Sequence, residues 1–281
     1  MSHVFAENES SVAGFARRSD AFLWRFIGTA ISFMVFGLSA LVLSVTVLPL
    51  LRLLPRAHCQ RWSRLVLQRG MRTFLGLMRA LGVLTCEMRG VERLGRPGQL
   101  IVANHPTLLD AVFLIAHAPQ AVCVAKQAMF RNLLTRTAVA VAGYISNALT
   151  ADLIDRAGTA LRQGQCVIMF PEATRTRVGA PLKFHRGAAN IGVRAAAIVT
   201  PVYIRCEPIT LTSEQPWYRI PSRRPHFSLV VGEDFSLTAY REMGSVPAAS
   251  RAFNERMRDH FESELQRSGS TRGTDDHVYR R

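Results

Sequence analysis

The sequence predicts an α/β fold: a mostly parallel sheet flanked by helices on both faces, with an N-terminal membrane helix and a basic amphipathic helix ahead of it. Three observations carry this. From Thr85 onward, short β-rich runs alternate with helical stretches, the pattern of strands joined by crossover helices. The stretch between Arg25 and Arg52 contains no charged residue. Between Arg61 and Leu81, apolar residues recur at helical spacing, with arginines largely on other faces.

Length and charge set the outer bounds. At 281 residues the chain accommodates one α/β domain with a sizeable core plus an anchoring element. A formal charge of +15 beside 48% apolar residues points to an anionic surface as partner. Nucleic acid is set aside, because the sequence has no zinc-ligand spacing, no basic heptad and no aromatic strand motif of the RNA-binding type. The five cysteines, Cys59, Cys86, Cys123, Cys166 and Cys206, show neither metal-ligand nor redox-pair spacing and read as buried thiols in a reducing compartment.

Residues 1–20 are polar and mixed and read as a mobile tail, as do 268–281, which have little to bury. Residues 21–82 read as membrane-anchoring helices and 83–267 as the main domain. If helical, the uncharged stretch is roughly 39 Å long against a hydrocarbon core of about 30 Å, enough to span a bilayer. It is too long for the apolar segment of a signal peptide, and no small-residue cleavage site follows it. Pro49 is expected to end or kink the helix. Arg52, Arg56, Arg61, Arg64, Arg69 and Arg72 follow the stretch, whereas Arg17, Arg18 and Arg25 precede it. That excess places the domain on the cytoplasmic side of the inner membrane. The next helix carries Trp62, Leu65, Val66, Phe74, Leu77, Met78 and Leu81 as its apolar stripe. It fits a helix lying on an anionic membrane surface, or equally one packed on the domain core.

The expected strands are 85–89, 99–103, 121–125, 165–170, 198–204 and 227–232, and the expected helices 107–118, 151–162, 187–197 and 248–267. In such sheets the working residues collect beyond the carboxyl ends of the strands. Two polar motifs stand there: Asn104-His105-Pro106-Thr107-Leu108-Leu109-Asp110 and Pro171-Glu172-Ala173-Thr174-Arg175-Thr176. His105 and Asp110 are five apart, about 140° on a continuous helix, and would not meet on one face. Pro106 at the first helical position resolves this, leaving His105 outside the helix and letting Asp110 lean back toward the imidazole. A carboxylate holding one ring nitrogen leaves the other to take a proton from a hydroxyl. The alternative is a capping histidine with an aspartate that serves the helix dipole. Glu172 and Arg175, three apart, share a face on a helical turn, where a guanidinium suits a phosphate or carboxylate. A structural ion pair is the alternative there.

With Lys183-Phe184-His185-Arg186-Gly187 and Thr200-Pro201-Val202, the two motifs resemble the NHxxxxD and FPEGTRS signatures of the glycerolipid acyltransferase family, over about 94–205. The resemblance implies an O-acyltransferase that moves a fatty-acyl group from acyl-CoA or acyl-carrier protein to a lipid hydroxyl. Membrane lipids are then its partners, an apolar groove holds the acyl chain, and no metal or redox cofactor is expected. It makes His105 the base and Asp110 its orienter. Glu172, Thr174 and Arg175 become the holders of the acceptor head group, and Lys126 a weaker phosphate ligand or a solvated surface lysine.

Two residues depart from the family. Ala173 replaces the usual glycine, and Asn147, at the end of Ala142-Gly143-Tyr144-Ile145-Ser146-Asn147, stands where the family has a phosphate-contacting arginine. The stretches GQLIVANHPTLLD, AGYISN and EQPWYRIPSRRPHF are similar to acyltransferases encoded with bacterial aryl polyene pathways, which implies a non-phosphate or glycolipid acceptor. A non-catalytic membrane lipid-binding protein and a hydrolase using the same dyad on water are the remaining alternatives. Trp217, Tyr218, Arg223 and Arg224 fit either a membrane interface or a surface hairpin.

Overall fold

The computed structural model describes residues 3–148, 150–176 and 180–270. Three helices come first: α1 (His3–Val45), α2 (Val47–Leu51) and α3 (Arg56–Ala80). Then follow β1 (Thr85–Arg89), β2 (Gln99–Ala103), α4 (Asp110–His117), β3 (Val122–Ala125), α5 (Gln127–Arg131), α6 (Arg136–Val141) and β4 (Ile145–Ser146). The remainder is α7 (Thr150–Arg162), β5 (Val167–Met169), α8 (Gly187–Ala195), β6 (Ile198–Glu207), β7 (His226–Val231), α9 (Thr238–Arg241) and α10 (Val246–Ser270). The strands pair in the order β1-β7-β6-β2-β5-β3-β4, parallel everywhere except between β6 and β7. The predicted α/β class is the one observed. Because β7 reverses the direction, the carboxyl ends of β2, β3, β4, β5 and β6 lie along one edge. That edge carries His105, Lys126, Asn147 and the 171–176 loop. Strand β2 is buried along its whole length, which is why after Gln99 its sequence is a continuous apolar run, Leu100 to Ala103, rather than an alternating one.

The helix break falls at Thr46, whose backbone leaves helical angles (φ −115°, ψ −80°). Pro49 lies three residues later; it lacks the N–H that would bond Val45, and its ring crowds that carbonyl, so the helix parts just after Val45. The backbone of 3–20, read as a tail, is helical and belongs to α1. Residues 271–281 of the other tail lie outside the described residues.

Phe22–Leu51 is long and apolar enough to cross a membrane, and only 17% of its most apolar window is buried. Along its inner face it is fastened to the domain. The Arg25 guanidinium donates to the carbonyls of Pro221 (3.2 Å) and Ser222 (2.5 Å). Trp24 Nε1 donates to Leu81 O at 2.9 Å, Phe33 and Phe36 pack on Phe74, and Leu48 is fully buried with Cys59 and Val141.

Helix α3 gives its stripe to the domain. Phe74 and Met78 are buried in the core, and of the seven apolar residues that define the stripe Trp62 alone is exposed. Arg64, placed on the solvated face by its spacing, is buried and donates from Nε to Ala142 O at 2.8 Å. Packing on the domain core is therefore the arrangement this helix adopts.

Candidate active site

Helix α4 begins at Asp110 rather than at Pro106, a correction to the expected start at Thr107. The reason is local. The Asp110 carboxylate accepts from Thr107 N (2.7 Å) and from Thr107 Oγ1 (2.6 Å), a side-chain-to-backbone closure that competes with the first helical turn. The same closure turns the carboxylate toward His105, whose Nδ1 lies 2.8 Å from Asp110 Oδ2. With an ionised carboxylate as acceptor, Nδ1 donates and Nε2 keeps a free lone pair. The expected pairing is thus present, made by a tight turn instead of a proline-started helix.

Asp110 is completely buried. Burial pushes its carboxyl above the ordinary value, and the bonds from His105 and Thr107 pull it back. Opposite Asp110, the imidazole is stacked on Phe170, with ring centroids 4.2 Å apart and 24° between planes. Phe170 ends the apolar run of β5 and was missed by sequence reasoning; only the adjacency of β2 and β5 places it there. Below the site, the Asn104 amide donates to Ile204 O and accepts from Ile204 N, both at 2.8 Å, fixing the end of β2 to β6.

Glu172 plays a different part from the one its spacing suggested. Its Oε1 accepts from the His105 backbone N–H (2.9 Å) and from Thr176 Oγ1 (2.9 Å), and Thr176 N donates to His105 O at 2.7 Å. The two motifs are therefore stitched together through main chain. Burial holds the Glu172 carboxyl above its usual range, against the pull of Thr176 and His105. Among the described residues no ion pair joins Glu172 to Arg175.

Arg175 instead donates from Nη1 to Leu211 O (3.0 Å) and Thr212 O (2.7 Å), while Leu108 N donates to the same Leu211 carbonyl at 3.0 Å. It ties the start of the β6–β7 connection to the loop after β2, and among the described residues its Nε and Nη2 are not engaged. We expect Arg175→Ala to lower stability by about 1–3 kcal/mol through the Thr212 carbonyl it leaves unpaired, Leu211 O keeping the Leu108 N–H, and to speed proteolytic cleavage within 208–225. Urea unfolding and limited proteolysis check this, since a side chain serving only as a ligand would leave both unchanged.

Thr174 is exposed beside this loop, and Lys126 is exposed at the end of β3, on the same edge but two strands from β2. Asn147 is spent on the fold: its Oδ1 accepts from Gln127 N at 3.1 Å and its N–H donates to Ala125 O at 3.0 Å. Ala173 has φ 58°, left-handed backbone that costs an L-residue about 1–2 kcal/mol. Glycine would return about 0.4–1 kcal/mol of this through the freedom of its unfolded chain. Ala173→Gly, exposed and losing no packing, is expected to raise the melting temperature by about 1–3 °C, checked by calorimetry.

Next to Asp110 in the chain, Leu109 joins Leu211, Met78 of α3, Trp217 and Thr29 of α1 around a narrow apolar cleft of about 20 Å³.

The acyltransferase family model matches residues 85–205. Human 1-acyl-sn-glycerol-3-phosphate acyltransferase alpha is 31% identical over 147 residues, covering 49% of this chain and 49% of its own. The 1-acyl-sn-glycerol-3-phosphate acyltransferase of Pseudomonas aeruginosa is 26% identical over 185 residues, 63% of this chain and 70% of its own. The chain spans about half the length of the mammalian relatives it matches. In fold it is similar to the crystal structure of the 1-acyl-sn-glycerophosphate (LPA) acyltransferase PlsC from Thermotoga maritima, with a TM-score of 0.55 and 17% identity, covering 85% of this chain and 98% of that one. The motifs, their meeting at one sheet edge and these sequence matches agree: residues 85–205 match the acyltransferase family, and the chain is similar to 1-acyl-sn-glycerol-3-phosphate acyltransferases.

Proposed function

We propose that this chain is a membrane-attached O-acyltransferase that moves a fatty-acyl group from acyl-CoA or acyl-carrier protein to a lipid hydroxyl. The observation that carries the proposal is the His105–Asp110 pair at 2.8 Å, set against a second motif that holds the loop of His105 by its main chain. His105 Nε2 takes the proton of the acceptor hydroxyl as its oxygen attacks the thioester carbonyl, and Asp110 stabilises the imidazolium that forms. Collapse of the tetrahedral adduct releases the carrier thiol. The narrow apolar cleft lined by Leu109, Leu211 and Trp217 would have to open to take the acyl chain, Arg175 keeps two groups available for a polar head group, and Thr174 and Lys126 stand further along the same edge.

A lysophospholipid-type acceptor follows from the relatives' names. Asn147 favours a variant of this reading, with a non-phosphate or glycolipid acceptor, because a neutral amide engaged with Gln127 N supplies no charge to a phosphate. The exposed apolar face of α1 supports attachment to a membrane, and the excess of arginines after it supports a domain on the cytoplasmic side of the inner membrane.

The test is release of free thiol from acyl-CoA and from acyl-carrier protein by the detergent-purified chain, with and without a lipid alcohol, and identification of the acylated product. Thiol release that never depends on a lipid acceptor would make the protein a thioesterase; no release with either donor would leave the non-catalytic lipid-binding reading.

A further inference from the structure

Beyond α1, a second surface is apolar without being covered: the α5–α6 hairpin, where Met129 is 39% exposed, Leu133 66% and Leu134 40%. Soluble surfaces carry scattered apolar residues, but three in six positions on one short connection form a patch that calls for a partner. Exposed Lys126, Arg131 and Arg136 flank it. The hairpin is held in shape by its own bonds, Leu134 N to Asn132 Oδ1 at 2.9 Å and Thr135 Oγ1 to Met129 O at 2.7 Å, so the leucines are displayed rather than free to fold inward.

Its position identifies the partner. Ser44 Oγ, one residue before the end of α1, donates to Leu134 O at 2.9 Å. Leu48 of α2 is buried against Val141 of α6. The hairpin thus abuts the end of the apolar helix, next to exposed Leu50, Leu53 and Leu54, and continues that helix's uncovered face. It also leaves from the carboxyl end of β3, on the sheet edge that carries His105, where Leu108 of the catalytic loop is itself 43% exposed. We infer that the α5–α6 hairpin is a second membrane-inserting element, which places Met129, Leu133 and Leu134 among the acyl chains and its cations at anionic head groups. Apolar side chains rimmed by Lys and Arg are what an interfacial segment needs. The candidate site then opens at the lipid surface, flanked by the hairpin and Leu108.

This inference rests on α1 lying in the bilayer, and the experiment separates the two. In a Cys86→Ser background, single cysteines are introduced as Leu133→Cys on the hairpin, Leu38→Cys on α1 and Glu233→Cys at the opposite sheet edge. Each is labelled with an environment-sensitive fluorophore, and the full chain is reconstituted into vesicles of phosphatidylethanolamine and phosphatidylglycerol. The expected result is blue-shifted emission at 133 and 38, each several-fold less quenched by aqueous iodide than the label at 233 and quenched by lipids brominated in the acyl chain. A lipid-like label at 38 beside a water-like label at 133 would overturn the hairpin assignment and keep the anchor. Water-like labels at both would overturn both. A label at 133 that shifts only on adding acyl-carrier protein would give the surface to a protein donor and likewise overturn the inference.

Discussion

Replacing His105 with alanine is expected to slow acyl transfer by about a hundred- to ten-thousand-fold, the range a positioned general base supplies, while the fold survives. The structure explains why both halves hold. What His105 contributes to architecture it contributes through its main chain: its N–H donates to Glu172 and its carbonyl accepts from Thr176, and alanine keeps both. What the side chain contributes is the Asp110 bond and the Phe170 stack, and Asp110 retains two bonds from Thr107 after the imidazole is gone. Thiol release in the presence of lipid alcohol, followed beside a thermal melt, tests this. An alanine variant that transfers acyl groups within a few-fold of the parent would remove His105 from the mechanism.

Asp110→Asn is expected to lose activity on the same scale, for a different reason, and with a pH-dependent effect on stability. An asparagine can present its amide nitrogen to His105, which reverses the tautomer and leaves Nε2 carrying the proton it should accept. Asp110 is buried, and burial raises its carboxyl above the ordinary value despite three donors. Between the ordinary value and the raised one the folded chain therefore holds more protons than the unfolded chain, so this group's contribution to stability falls as pH rises through that window. Above the window the parent bears the whole desolvation penalty and the asparagine variant bears none of it, but an amide nitrogen in place of Oδ2 turns a donor toward the Thr107 N–H and loses that bond. The denaturant midpoint of the variant relative to the parent should therefore rise with pH through the window. Activity of the parent runs the other way from its stability, declining as Asp110 gains its proton. A pH series of kcat/KM beside one of unfolding midpoints reads both; a midpoint difference that stays constant with pH would show that the buried charge does not weigh on the fold.

The elements that were legible in the sequence are those whose signal is local. Strands β1 and β2 occupy the residues marked for them, and the two motifs stand at the ends of β2 and β5 because chain order and a parallel sheet leave them nowhere else. The His105–Asp110 pairing was visible as chemistry but not as geometry: Pro106 looked like a helix start, and only the Thr107 bonds to Asp110 show that the helix waits until 110. Residues 127–146 were left unassigned because α5, α6 and β4 are each six residues or fewer, too short for periodicity to register. The partnership of Glu172 was out of reach for another reason. Its spacing to Arg175 is an intrahelical signal, whereas its actual partner is a backbone N–H 67 positions away, brought close by the pairing of β2 with β5. Ala173 is the converse case, since the glycine usual at that place corresponds to the left-handed backbone the alanine is obliged to adopt.

The contacts that run into the domain from α1 at Arg25, Phe33 and Ser44 and from α2 at Leu48 have a mechanical meaning. A domain hung from an apolar helix by a slack stalk would roll against it. Here α1 is a wall of the domain from Trp24 to Ser44, so in a bilayer the tilt and draught of the body would be set when the chain folds. Shearing off the first fifty residues would accordingly not yield a water-soluble enzyme; it would bare the flank of Phe74 and unmoor 221–222, leaving a hull with one side open.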